Sequence, residues 1–295
     1  MSVMATPTDR PAPPAVTVGS RTLAFGQRAW VMGVLNVTPD SFSDGGEYFD
    51  TQAAVNRAVE MVEAGADIID IGGESTRPGA EPVDTRNEAR RVIPVIEQLR
   101  QRSDVWISVD TYKAEVAQQA AAAGAQIIND ISGLGFDEEM PRVVAESGCA
   151  VVLMHIRGTP ETMQRDIDYD DVVEDVAAYF QNRLDDAERA GIPRDRIILD
   201  PGIGFGKTVE HNYRLLRRLD RFTELGRPLL VGTSRKSLIG AVTARPVHQR
   251  VWGTAATVAC SIFSGADIVR VHDVEPIRDV VRVTEAICAM DGPES

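Results

Sequence analysis

The feature that most constrains the fold is a unit that recurs eight times from Trp30 onward. Each unit is a run of apolar, mainly β-branched residues, then a polar or glycine-rich terminus, then a segment with helical periodicity. The eight apolar runs are residues 30–38, 67–75, 105–111, 125–132, 150–156, 196–204, 228–234 and 267–273. Apolar strands that alternate with helices predict a parallel sheet covered by helices. Eight units in about 250 residues fit a closed (β/α)8 TIM barrel of the α/β class.

An open, doubly wound sheet is the alternative, but the sequence has neither a dinucleotide-binding fingerprint nor a second domain to accompany it. We therefore expect one barrel domain over residues 29–287. Residues 1–28 are expected to form a flexible N-terminal tail and a short extension, because the first 20 residues are proline-rich and lack an apolar segment. Residues 288–295 are the expected C-terminal tail.

Charge and cysteine content exclude several classes of protein. The 31 basic and 44 acidic residues give a net charge of −13, so a surface that binds nucleic acid or anionic lipid would need a local basic patch. We expect neither partner. The three cysteines, Cys149, Cys260 and Cys288, form no metal-binding or disulfide pattern, which is typical of a reduced, cytoplasmic protein.

Polar side chains follow several of the predicted strands, where a barrel carries its active site. Asn36, Asp110, Asn129 and Asp200 end the first, third, fourth and sixth strands. Each alone could cap a helix or bond within a loop. Together at one rim, they are better explained by ligand binding than by packing.

Two glycine-rich segments resemble nucleotide motifs only superficially. Residues 202–208, GIGFGKT, lack the first glycine of a phosphate-binding loop, since Pro201 occupies that position. Their glycines either let the backbone approach a flat ligand, with Phe205 stacked on it, or serve only a tight turn. Residues 232–237, GTSRKS, open a helix and place Arg235 and Lys236 where an anion could bind, unless they form a solvated basic turn.

Seven motifs, in order, resemble those of the dihydropteroate synthase family, which belongs to the pterin-binding proteins. The resemblance runs from about Ala29 to Ile287. The motifs are NVTPDSFSDGG (36–46), DIGGESTRPGA (70–80), SVDTYK (108–113), IINDI (127–131), LDPGIGFGK (199–207), LLVGTSRKS (229–237) and IVRVHD (268–273).

The resemblance implies a transferase of folate biosynthesis, inhibited by sulfonamides. The family condenses (7,8-dihydropterin-6-yl)methyl diphosphate with 4-aminobenzoate, giving 7,8-dihydropteroate and diphosphate. It implies a homodimer and a bound Mg²⁺ that touches Asn36. Mg²⁺ needs only one or two protein oxygens, because it keeps most of its ligands as phosphate and water. Asp110, Asp200, Lys236, Arg270 and His272 would be catalytic.

The resemblance also assigns three groups of binding residues. The pterin would bind to Asp110, Asn129, Met154, Asp200, Phe205 and Lys236. The diphosphate would bind to Asn36, Thr76, Arg77, Arg270 and His272. The aminobenzoate would bind to Phe42, Thr76, Pro78, Phe205 and Ser237. No covalent nucleophile is required, because charged groups can stabilise the pterin cation and the leaving group.

Two other functions are compatible with parts of this pattern. A pterin-dependent methyltransferase would share the carboxylate and amide groups but would not need the diphosphate-binding motifs. A non-catalytic paralogue that binds a pterin or a protein would not need its loop residues Asp40, Phe42, Arg77 and Pro78.

Residues 251–266 contain no charged residue, although they should lie mostly on the outer, seventh helix of the barrel. An outer helix normally leaves a polar stripe in water. Either the N-terminal segment 16–28 or a neighbouring helix covers this helix, or it forms a two-fold interface between copies of the chain. We expect the interface, with Val258 within it.

Overall fold

The computed structural model describes residues 11–38, 46–75, 81–165 and 167–289, without the side chains of 46–50. Its main sheet has eight parallel strands, which confirms the predicted barrel. The two strands of an N-terminal hairpin, β1 (Val16–Val18) and β2 (Arg21–Leu23), precede them. The barrel strands are β3 (Trp30–Asn36), β4 (Ile68–Gly72), β5 (Trp106–Asp110), β6 (Ile127–Asp130), β7 (Ala150–Met154), β8 (Ile197–Asp200), β9 (Leu230–Val231) and β10 (Ile268–Val271).

The barrel closes between β8 and β9. Each strand pairs with the next along the chain from β3 to β8, and β10 lies between β3 and β9. A parallel bridge between Leu199 and Leu229 joins the two remaining edges. The Leu199 amide donates to the Pro228 carbonyl at 2.9 Å.

Helices cover the outside of the sheet. They are α1 (Gly46–Glu63), α2 (Thr85–Arg102), α3 (Ala114–Ala123), α4 (Met140–Ser147), α5 (Val172–Arg189), α6 (Val209–Arg217), α7 (Asp220–Thr223), α8 (Ser237–Thr243), α9 (Val251–Phe263) and α10 (Val274–Cys288). Capping side chains begin three of them: Asp84 accepts from Asn87, Asp171 from Val173 and Glu174, and Thr208 from His211. Left-handed Gly124 and Gly148 end α3 and α4.

The period-two alternation of the strands divides the barrel interior into layers. Apolar side chains fill the amino-terminal end, among them Ile68, Trp106 and Ile198. Two residues further along these strands stand Asp70, Ser108 and Asp200, all buried. The interior therefore changes from apolar to polar towards the carboxyl ends of the strands.

The N-terminal hairpin closes the apolar end of the barrel. Val16 and Leu23 have no exposed surface, and they pack with Phe25 against the apolar layer. The Arg21 guanidinium lies 4.4 Å from the centre of the Trp106 ring. Residues 16–23, which lie within the expected tail and short extension, therefore form an ordered hairpin that buries its apolar side chains in the barrel.

Helix α9 is apolar because it has an inner and an outer apolar face. Val258 is 1% exposed and packs inward, so its predicted place on an outer surface is wrong. The outward residues are Trp252, Ala256 and Cys260, spaced four apart, and Trp252 is 80% exposed. No helix among the described residues is long and apolar enough to cross a membrane.

Candidate active site

The polar rim of the barrel brings together four of the predicted site residues. Asp110 and Asn129 are register partners at the ends of β5 and β6. Asp200 pairs with Met154 at the ends of β8 and β7. Because these strands are parallel, their carboxyl ends converge on one face, as the barrel geometry predicts.

Arg270, on β10, is held by two carboxylates across the barrel. Its Nε donates to Asp70 Oδ2 and its Nη2 to Asp110 Oδ2, each at 2.6 Å. The two carboxylates raise the pKa of Arg270 despite its burial. Burial raises the pKa of Asp110 to about 7, although Arg270 opposes that shift. The barrel mouth therefore holds a fixed cation beside a carboxyl group that titrates near neutral pH.

Asp200 and Lys236 form the opposite side of the site. Asp200 Oδ1 accepts from the Gly202 amide at 2.8 Å, which leaves Oδ2 for a ligand. Lys236 Nζ donates to the Ile203 carbonyl, and it lies 4.7 Å from the centre of the Phe205 ring. Burial lowers the pKa of Lys236 to about 8, although Asp200 opposes that shift. This side therefore offers one acceptor and one cation.

The glycine-rich loop of residues 201–207 adopts a turn that requires glycine. Gly202, Gly204 and Gly206 all have positive φ, at 66°, 89° and 64°. A Cβ atom on Gly202 would lie 1.9 Å from the His155 carbonyl oxygen. The chain's own backbone thus explains this glycine, which favours the tight turn over close approach to a ligand.

A buried lysine holds this loop together from inside. Lys207 Nζ lies 2.9 Å from His155 Nδ1, and it donates to the carbonyls of Phe205 at 2.9 Å and Gly202 at 3.0 Å. Burial lowers the pKa of His155 to about 2, so its imidazole is neutral and accepts from the lysine. The sequence pattern assigns no role to Lys207, although the position of a lysine within a glycine-rich strand terminus is a signal of one.

An apolar wall lies beside the charged groups. Met154 is 3% exposed, and Phe205 packs against the cluster that contains it. The cluster also includes Ile131, Ile156, Met163 and Tyr112, none of which was predicted. Such a wall suits the face of a flat aromatic ligand.

The predicted anion site after β9 differs in detail. Arg235 has a φ of 59°, and its guanidinium pairs with both oxygens of Asp273. That pairing holds Arg235 between two loops, and its expected place at an anion beside Lys236 stays a prediction. His272 Nδ1 lies 3.0 Å from Ser234 Oγ, and Ser237 is exposed at the start of α8.

The loops after β3 and β4 carry predicted residues that lie outside the described residues: Asp40, Phe42, Thr76, Arg77 and Pro78. The base of the second loop is described. Glu74 Oε2 accepts from the Val83 amide at 3.3 Å, across the loop, and it pairs with Lys113. Lys113 also pairs with buried Glu88 on α2. Lys113 therefore links Glu74, at the end of β4, to helix α2.

Asn36 ends β3, half-buried at the same rim. No cluster of three or more acidic, histidine or cysteine side chains that could hold a metal occurs within the described ranges. A single hard amide oxygen fits Mg²⁺ that takes its other ligands from phosphate and water. Asn36 is therefore compatible with the predicted metal, provided that the metal arrives with a phosphorylated ligand.

Comparison with known proteins assigns the chain to a family. The family model described as "Pterin binding enzyme" matches residues 32–272. A dihydropteroate synthase from Synechocystis is 51% identical over 276 residues, covering 93% of this chain and 96% of that protein.

Two solved structures have the same fold. The Yersinia pestis dihydropteroate synthase in a sulfonamide drug complex has a TM-score of 0.88 and 45% identity, covering 93% of this chain and 99% of that one. The Xanthomonas albilineans enzyme with 4-aminobenzoic acid has a TM-score of 0.88 and 44% identity, covering 95% and 100%. The chain therefore belongs to the dihydropteroate synthase family of pterin-binding transferases.

Proposed function

We propose that this chain condenses (7,8-dihydropterin-6-yl)methyl diphosphate with 4-aminobenzoate at the carboxyl end of its barrel, giving 7,8-dihydropteroate and diphosphate. The observation that carries this proposal is the alternation of charge around the barrel mouth. Asp110 and Arg270 are joined by a 2.6 Å hydrogen bond on one side, and Asp200 and Lys236 lie on the other. A pterin presents N–H donors beside a carbonyl, so it needs acceptors and a cation at one edge.

The pterin is proposed to lie between the polar groups and the apolar wall. Asp200 Oδ2 and Asn129 accept from its N–H groups, and Lys236 donates to its carbonyl oxygen. Met154 and Phe205 contact the face of the ring. This arrangement satisfies the polar edge while the apolar wall excludes water from the ring.

The reaction breaks the bond from the pterin methylene carbon to the diphosphate oxygen and forms a bond from that carbon to the aminobenzoate nitrogen, which then loses a proton. Arg270, with His272 beside it, neutralises the departing diphosphate. The carboxylates of Asp110 and Asp200 stabilise positive charge that develops on the pterin. Asn36 would hold Mg²⁺, which supplies charge neutralisation on the diphosphate.

The aminobenzoate is proposed to bind between the two loops that follow β3 and β4, through Phe42, Thr76 and Pro78, with Phe205 closing the pocket. Its carboxylate lies near Ser237, where α8 begins. Thr76 and Arg77 also contact the diphosphate. Sulfonamides are the proposed inhibitors of this pocket. The cysteines Cys149, Cys260 and Cys288 form no disulfide pattern in the sequence, which favours a reducing, cytoplasmic location.

Incubation of the purified protein with both substrates and Mg²⁺ tests this function. We expect dihydropteroate and diphosphate to appear in equal amounts. A pterin-dependent methyl transfer without use of the diphosphate substrate would favour the methyltransferase alternative. Pterin binding without turnover of either kind would favour the non-catalytic paralogue.

The activity should depend on pH through two groups of the free enzyme. Asp110 becomes charged as pH rises through about 7, and Lys236 loses its charge as pH rises through about 8. Because both charged forms are needed, kcat/KM should reach its maximum between these values and fall about tenfold for each pH unit well outside them. Lys236→Arg should move the alkaline limb upward, since a guanidinium stays protonated. A flat profile from pH 6 to 9 would contradict this assignment.

We also propose that the chain forms a homodimer through the outer faces of α9 and α10, which pack on each other. Trp252 on α9 is 80% exposed, and Val283 and Ile287 on α10 are 60% and 52% exposed. Helix α9 carries no charged residue to solvate this face. Exposed apolar side chains on neighbouring outer helices are typical of a two-fold interface.

A pair of matched substitutions tests this interface. Val283→Glu places a charge in the proposed interface and should give a monomeric mass by light scattering at micromolar concentration. Val209→Glu makes the same change on α6, where Val209 is 40% exposed, and it should leave the dimer intact. A wild-type monomer would refute the dimer, and a dimeric Val283→Glu variant would refute this surface.

A further inference from the structure

We propose that Asp70 is a positioning residue that sets the orientation of both Arg270 and Asn129. The proposal rests on the function proposed above, because it concerns the ligands of that site. Asp70 lies on β4, one layer below the rim, and it has no exposed surface. A ligand at the barrel mouth therefore reaches Asp70 only through the neighbours that it holds.

The first of these neighbours is Arg270. Asp70 accepts a hydrogen bond from its Nε and Asp110 accepts one from its Nη2, each at 2.6 Å. A guanidinium is planar, so bonds at two of its nitrogens fix the plane as well as the position of the group. Loss of Asp70 would leave Arg270 free to rotate about its remaining bond to Asp110.

The second neighbour is Asn129, whose Nδ2 donates to the same oxygen, Asp70 Oδ2, at 3.0 Å. A carboxylate only accepts hydrogen bonds, so the amide must turn its NH₂ group towards Asp70. Its oxygen is then directed elsewhere and can accept from a ligand N–H. Asp70 thereby makes Asn129 an acceptor for the pterin, although Asp70 does not touch the pterin itself.

The unequal use of the two carboxylate oxygens supports this role. Oδ2 receives both donors, whereas Oδ1 is buried with no hydrogen-bond partner among the described residues. Ser108, the register partner of Asp70 on β5, is also buried, and its Oγ lacks a partner there too. A buried charge with an unsatisfied oxygen costs stability. Orientation of two site groups explains the carboxylate better than stability does.

Asp70→Asn tests the proposal. Its amide can turn either its oxygen or its NH₂ group towards Arg270 and Asn129, so it no longer fixes their orientation as a carboxylate does. Calorimetry in Mg²⁺ buffer should use two separate probes, inorganic pyrophosphate for the Arg270 end and 6-hydroxymethylpterin for the Asn129 end. We expect both affinities to fall about tenfold or more. If Asp70 acted only through its charge, its removal would instead tighten pyrophosphate binding, since one negative charge would be lost beside an anion site.

Ser108→Ala is the matched control, because it changes a buried polar group of the same layer that bonds to neither neighbour. It should leave both affinities within about twofold of wild type. Unfolding temperatures show whether each variant folds. If Asp70→Asn does not fold, the smaller substitution Asp70→Ser should also lower both affinities. Unchanged pterin affinity or tighter pyrophosphate binding in a folded variant would overturn the positioning role alone. Wild-type protein that bound neither probe would overturn the proposed function together with it.

Discussion

Asp200→Asn should weaken pterin binding about 100-fold or more while leaving the protein as stable as wild type or more so. Asp200 Oδ1 accepts from the Gly202 amide at 2.8 Å, and that amide can only donate. The oxygen of an asparagine at this position would keep that bond, so its NH₂ group would take the place of Oδ2. A donor would then face the N–H donors of the pterin. The loss of a charged acceptor together with a new donor clash should weaken binding about 100-fold or more.

The stability of this variant follows from the sign of the pKa shift. Burial raises the pKa of Asp200, although Lys236 opposes the shift. A carboxyl group whose pKa is higher in the folded state loses folding free energy as pH rises through that range, so its ionised form opposes folding at neutral pH. Replacement by a neutral amide removes that cost. Calorimetry with a pterin and a thermal melt at pH 7 should therefore show weakened binding without a lower unfolding temperature.

Asp195→Asn provides the matched control. Asp195 precedes the same strand at the opposite end of the barrel, where it is exposed. Its substitution should change neither pterin affinity nor the unfolding temperature measurably. Undiminished pterin affinity in Asp200→Asn would contradict the assignment of Asp200 to the pterin.

The barrel itself could be predicted because its signal is repeated. Eight apolar runs with helical segments between them leave few alternatives, and all eight runs contain a strand in the structure. The lengths of the strands were harder to predict from the sequence. The apolar run at 228–234, for example, forms a strand only over Leu230–Val231. After it, Thr233 and Ser234 make side-chain hydrogen bonds, and composition does not show where the ladder ends.

The N-terminal hairpin was missed although its signal was present. Two three-residue alternating runs flank Gly19 and Ser20, and Gly19 has a φ of 59°, as a tight hairpin turn requires. The proline-rich residues before Val16 are typical of an irregular tail, so they favour the opposite prediction. Burial of the hairpin depends on the open end of the barrel, which is a property of the whole fold and not of this segment.

Some site residues could be placed from strand geometry alone, whereas the positions of others depend on tertiary contacts. Asp110, Asn129, Asp200 and Arg270 meet at the rim because strand polarity and period two determine their positions. Asp70 could have been predicted in the same way, since it lies two residues beyond Ile68 on the same strand and therefore points to the same face of the sheet. Arg235 could not, because its left-handed backbone and its pairing with Asp273 depend on tertiary contacts.

Val258 illustrates a different limit. An ordinary outer helix marks its solvent side with charge, but α9 has none, so sequence alone does not show which apolar residues face outward. Packing decides this, and it buries Val258 while it exposes Trp252. The proposed dimer surface therefore includes Trp252 and excludes Val258.

Lys207→Met should both destabilise the protein and weaken pterin binding. Lys207 is 4% exposed, and its Nζ serves His155 Nδ1 and the carbonyls of His155, Gly202 and Phe205. Methionine has a similar length but no donor, so buried acceptors would lose their partner. Several unsatisfied acceptors should cost about 3 kcal/mol or more and lower the unfolding temperature by about 5 °C or more.

The effect of Lys207→Met on binding follows from what the loop carries. Phe205 forms part of the apolar wall, and the Ile203 carbonyl accepts from Lys236, so a loosened loop would disturb both sides of the pterin site. Arg218→Met is the control, since Arg218 is an exposed cation whose side chain is 52% exposed, and it should change neither property measurably. Calorimetry with a pterin and a thermal melt measure the two effects together. The loop of residues 201–207 links the unfolding temperature to the pterin affinity, so both should fall. A Lys207→Met variant with the wild-type unfolding temperature and normal pterin affinity would show that the loop glycines, and not the buried lysine, hold the loop in place.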